Sequence, residues 1–229
     1  MRVLVLILMS GGYPYDQFRE IWRRYMKSHP NIDCYFYRGN PAMLTDYRLE
    51  GDTLWIRMSE KYHRIFDRTL YAFRYFMKTR PNTYTFMFRP NASALIDLNK
   101  YYELCKTFPT TNFCGAEIMH RGAVIEHPVE EAPSGAGYTL SMDLVKWFAE
   151  TPGLQNVLID DISIGYYLQI LKVRITPVNK YTFDMREYSP EELKDIVEKH
   201  VHFRFNNLEN RNWDIQSMNT VANIIYNKK

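Results

Sequence analysis

The chain opens on an unbroken apolar run, Val3 to Met9, that stops at Ser10-Gly11-Gly12. Seven apolar residues are too few to cross a bilayer but suit a strand buried on both faces. From Tyr15 to Lys27, Phe18, Ile21, Trp22 and Tyr25 recur at helical spacing and predict an amphipathic helix. Strands are predicted at Asp33–Gly39 and Asp52–Met58, a longer helix over Tyr62–Thr79, a fourth strand ending at Phe88, and a helix over Asp97–Phe108. Strand and helix thus alternate through the first hundred residues, the pattern of a parallel sheet with helices on both faces.

The second half is less regular. An apolar stretch, Gly122 to His127, precedes the turn-like Ser134-Gly135-Ala136-Gly137-Tyr138, which runs into a helix after Leu140 with Ser141 as N-cap. An acid-bearing turn at Asp160-Asp161 leads into another helix, and Lys172–Val178 reads as a late strand. Residues 189–200 form a helix, because Ser189 caps, Pro190 takes the first position, and Glu191 and Glu192 suit its positive end. His200–Phe205 is a short strand and Trp213–Tyr226 a final helix. No repeat, low-complexity tract or linker divides the chain, so its 229 residues read as one α/β domain.

Composition narrows the function classes. A net charge of +3 is too small for a dedicated nucleic-acid binder. Cys34, Cys105 and Cys114 lack the spacing of a zinc site or a disulfide framework, which points to a reducing compartment. With no signal peptide and no membrane span in view, a cytoplasmic protein is expected. The 18 Tyr and 13 Phe suit a tyrosine-rich core, or rings that stack on sugars.

Candidate chemistry centres on Asp160 and Asp161. One acid at a helix start is an ordinary cap; two at the open end of a sheet are placed for base work. Ahead of them, Ser134, Gly135 and Gly137 let the backbone pass close to a bulky ligand, and Tyr138 follows directly.

Together, "SGAGYTLSMDLV" and "DDISIGYYL" resemble the later half of the inverting β1,3-glycosyltransferases, the β1,3-galactosyltransferase and Fringe group. "EKYHRIFDRTLYAFRYF" resembles that family's central helix, and "VLVLILMS" with "FREIW" its opening strand and helix. The resemblance spans roughly residues 2–205 and is faint between Asn40 and Asp52. It implies a single GT-A domain, with residues 1–100 as the nucleotide-sugar half and 101–229 as the acceptor half. It implies transfer of a sugar, with inversion, from a nucleoside-diphosphate donor such as a UDP-sugar to a glycan or oligosaccharide hydroxyl.

In that family the second acid of the pair is the base, which falls on Asp161, with Asp160 in reserve or orienting the helix turn. The sugar and acceptor pocket falls on Gly135, Gly137 and Tyr138. The family's metal-binding acids fall on Asn91-Ala92-Ser93, where an amide and a hydroxyl stand instead of carboxylates. Three readings follow. The first is a metal-independent transferase in which Arg68, Arg89, His202 and Arg204 face phosphate while Asn91 and Ser93 hydrogen-bond the donor. The second is a site that holds Mn²⁺ through other groups, His202 among them. The third is a non-catalytic module that binds a sugar or nucleotide-sugar. Ser10, Gly11 and Arg19 are further donor-side candidates, Tyr13 suits either stacking on a base or an ordinary packed ring, and Arg23 and Arg24 read as a solvated helix face. A Rossmann-like cofactor enzyme rests only on Gly11-Gly12, without a full glycine fingerprint.

Overall fold

A computed structural model describes residues 1–120 and 129–227. The stretch Gly122–His127 lies outside the described residues. The chain begins β1 (Val3–Leu8), α1 (Tyr15–Tyr25), β2 (Ile32–Gly39), β3 (Tyr47–Glu50) and β4 (Thr53–Ile56). After one 3₁₀ turn come α2 (Ile65–Thr79), β5 (Phe86–Pro90), β6 (Ala94–Ile96), α3 (Leu98–Cys105) and β7 (Cys114–His120). Next are β8 (Glu131–Ser141), α4 (Met142–Glu150), α5 (Asp160–Ile170), β9 (Ile175–Pro177) and β10 (Tyr181–Phe183). The chain closes with α6 (Pro190–Lys199), β11 (His202–Phe205) and α7 (Arg211–Tyr226).

Among the described residues, eight strands form one mixed sheet in the order β3-β4-β2-β1-β5-β8-β7-β9. Its centre, β4-β2-β1-β5, is parallel, as the alternation of strand and helix predicts. The apolar side chains of β1 are buried on both faces, which is why that strand reads as a continuous run. One core layer packs Phe18, Trp22 and Met218 beneath the sheet; the other packs Phe66, Phe73 and Phe148 above it. Both halves of the chain supply strands to the large sheet. A second, three-stranded sheet, β10-β11-β6, sits beside the carboxyl end of β5, with β11 antiparallel to β6 so that Arg204 lies opposite Ala94.

Three expectations change. The strand expected to stop at Phe88 continues through Arg89 and Pro90, because these pair with Tyr138 and Gly137 of β8. The Ser134–Tyr138 segment is therefore the middle of an eleven-residue strand, not a turn. Its glycines answer a need for side-chain space: a Cβ on Gly137 would come within 2.6 Å of the Phe88 ring, and one on Gly135 within 2.8 Å of Asp161 Oδ2. Ser141 precedes α4 but does not cap it; its Oγ accepts a 2.9 Å hydrogen bond from the Phe113 amide across the sheet.

Candidate active site

The carboxyl ends of β1 and β5 are held side by side: Ala92 N–H donates to the Leu8 carbonyl at 3.0 Å. Open α/β sheets bind ligands beyond such strand ends. Here a cavity of about 760 Å³ opens, lined by residues from both sheets and from the first turn of α5.

Arg89 is the centre of its charge. The side chain is 1% exposed, and one Nη lies 2.6 Å from Asp160 Oδ2. Its Nε donates to the Tyr37 hydroxyl at 3.1 Å and its other Nη to the Gly135 carbonyl at 3.0 Å, while the guanidinium lies over the Tyr138 ring. Every polar edge of Arg89 is thus fixed. Burial pushes the Asp160 carboxyl up to about 6, a rise that Arg89 opposes and the neighbouring Asp161 reinforces.

Ile159 is the N-cap residue of α5, so Asp160 and Asp161 occupy the first two helical positions and neither is the cap. Both line the cavity and are nearly buried. Asp161 Oδ1 accepts from the Ile162 amide at 3.0 Å, and Gly135 leaves room for its Oδ2. The absence of a side chain at Gly135 and the position of Asp161 are therefore one arrangement.

The Asn91-Ala92-Ser93 segment is pinned from several sides. Asn91 Nδ2 donates to the Gly135 carbonyl at 3.1 Å, and the buried Trp22 indole donates to the Ala92 carbonyl at 3.0 Å. Arg204, reaching over from β11, donates to Asn91 Oδ1 and, at 2.7 Å, to Ser93 Oγ. These residues do not fit a divalent metal. They offer no carboxylate, and their side-chain oxygens already accept from the Arg204 guanidinium. Among the described residues, no group of three or more His, Cys, Asp or Glu is arranged to hold one.

Of the residues singled out from the sequence, Ser10, Arg68, Arg89, Asn91, Ser93, Gly135, Asp160, Asp161 and Arg204 line the cavity. Others do not. Gly11 gives its amide to Glu60 Oε2 at 3.0 Å, and the half-buried Arg19 pairs with Asp16 at 3.1 Å. Gly137 and Tyr138 are packing positions within β8. Tyr13 is exposed and bonds Asn212. His202, expected to hold any metal, is buried edge-on against Phe88; desolvation, with Lys180 and Arg204 nearby, pushes its imidazole down to about 3 and keeps it neutral. Lys180, Glu117, Tyr15 and Arg211 also line it. They come from elements far apart in sequence, and no local pattern marks them.

No protein-family model matches the chain, and no curated protein matches it. Among solved structures it is similar to a glycosyltransferase involved in the glycosylation of the major capsid of PBCV-1, with a TM-score of 0.56 and 8% identity. The match covers 96% of this chain and 100% of that one. At such an identity the likeness shows a shared fold: mixed α/β, built on a large central sheet. Among the described residues, no helix is long and apolar enough to cross a membrane.

Proposed function

We propose that the chain is an inverting glycosyltransferase that moves a sugar from a nucleoside-diphosphate donor, UDP being the first to test, to a glycan hydroxyl. The observation that carries this reading is the convergence of Asp160, Asp161 and Arg89 in one cavity at the carboxyl ends of β1 and β5. In the reaction the acceptor oxygen bonds to the anomeric carbon as the bond to the diphosphate breaks on the opposite face. The acceptor proton goes to the Asp161 carboxylate, and negative charge gathers on the leaving diphosphate. Asp160 holds Arg89, and through it the Gly135 carbonyl, so it positions the base without touching the reacting atoms.

The test is Asp161→Asn. Transfer is expected to fall by about 10²–10⁴-fold while donor binding survives, as for loss of a positioned base. Loss of donor binding with the fold intact would instead place Asp161 on the nucleotide. Wild-type protein that binds donor yet turns over no acceptor in a broad panel would favour the non-catalytic module, a reading to which the replaced acids at Asn91 and Ser93 lend some weight.

A further inference from the structure

Among the described residues, five cationic side chains line the cavity: Arg68, Arg89, Lys180, Arg204 and Arg211. Three of them have acid partners, Arg89 with Asp160, Lys180 with Glu117 and Arg211 with Asp214. Arg68 and Arg204 make no ion pair among the described residues. Arg68 is 1% exposed, and its Nε and one Nη have no hydrogen-bond partner there. A buried guanidinium with unused donors is costly to fold around and is expected where a ligand completes it. Among the described residues Arg204 is held by neutral oxygens, those of Asn91 and Ser93, so its position is fixed while its charge is left intact.

We propose that Arg68 and Arg204 form the seat for the donor's diphosphate, and that Arg204 supplies there the positive charge a divalent metal supplies where acids occupy positions 91 and 93. This rests on the transferase reading and adds to it the means of holding the leaving group. The guanidinium fork matches phosphate oxygens two at a time. The neutral side chains at Asn91 and Ser93 then have a physical reason: a carboxylate at either place would pair with Arg204, cancel its charge and repel the diphosphate. The exchange runs both ways, since a guanidinium at that spot also displaces the metal that such carboxylates would bind.

The test is calorimetry with inorganic pyrophosphate, UDP and GDP, each in EDTA and in Mn²⁺, on wild type, Arg68→Met, Arg204→Gln and Arg204→Lys. Glutamine keeps a donor for Asn91 and Ser93, and circular dichroism confirms the fold of each variant. At least one diphosphate should bind wild type in EDTA, with Mn²⁺ changing the affinity less than about twofold. Arg68→Met and Arg204→Gln should each weaken it by about 10- to 100-fold, the range for a charged hydrogen bond, with Arg204→Lys between. The proposal is overturned if Mn²⁺ strengthens wild-type binding tenfold or more, if a folded Arg204→Gln protein binds as wild type does, or if none of the three ligands binds in either condition. Transfer that needs Mn²⁺ would remove this seat and keep the transferase. Arginine-dependent binding without turnover would keep the seat and remove the transferase.

Discussion

Arg89 and Asp160 form an ion pair at 2.6 Å, with side chains 1% and 6% exposed, at the point where the end of β5 meets the start of α5. The pair joins a strand that carries the Asn91 segment to the helix that carries Asp161. It is thus a structural hinge pin as well as part of the cavity wall.

Removing one partner should cost far more than removing both. Arg89→Met leaves a carboxylate buried without its cation and is expected to destabilise by about 3–5 kcal/mol at pH 7. Asp160 titrates at a higher pH folded than unfolded, so its contribution is present at low pH and is lost as pH rises through about 6. The Arg89→Met deficit should therefore shrink as pH falls toward 4, and Arg89→Met with Asp160→Asn should recover most of the loss. Urea unfolding across that range measures both; equal additive losses would contradict the coupling.

Arg68 should trade stability for binding. Met fills much of the same space and carries no donors to leave unpaired, so Arg68→Met is expected to raise stability by about 1–3 kcal/mol. Thermal and urea melts of the ligand-free protein test this, and a clear loss of stability would mean that Arg68 is structurally satisfied.

His202 should make the protein acid-sensitive. Its folded-state pKa is lowered, so the unfolded chain takes up the proton first, and stability is lost as pH falls below 6.5 toward 3. Between pH 7 and 5 the loss is about 2 kcal/mol for this one group. His202→Phe, which keeps a ring against Phe88, should flatten that part of the profile; an unchanged slope would assign the acid sensitivity elsewhere.

Gly165 is an exception to helix propensity. Alanine is favoured over glycine inside a helix by about 1 kcal/mol. A Cβ here, however, would stand 2.8 Å from both Ala132 Cα and the Glu131 carbonyl oxygen, which are backbone atoms of β8. Gly165→Ala should therefore destabilise by about 1–3 kcal/mol, and it should lower any transfer activity by shifting α5 and its two acids. A stabilised variant with full activity would show that α5 can move away from the sheet without consequence.

The parts of the fold legible in the sequence are those whose periodicity is their own. The apolar run of β1, the four-residue face of α1 and the Ser189-Pro190 start of α6 each announce an element locally, and α6 does carry the full capping box. The strands that escaped are short or glycine-bearing. Cys114-Gly115-Ala116 shows no alternation, and β3 and β6 have four and three residues. Gly135 and Gly137 read as a turn because sequence cannot say whether a glycine serves backbone freedom or a neighbour's side chain. At the site, the acids and Arg89 stand beside strong local landmarks, whereas the contact of Arg204 with Asn91 depends on how β11 is laid against β6.

That last contact spans 113 residues of chain. At a synthesis rate of about 5–20 residues per second, Asn91 and Ser93 emerge roughly ten seconds before the guanidinium that will occupy them. Until then a nascent chain can build the parallel strands β4-β2-β1-β5 but has only part of the cavity's positive charge. The proposed affinity for a diphosphate, if read during synthesis or refolding, would thus act as a clock, appearing when the last quarter of the chain has docked and not before.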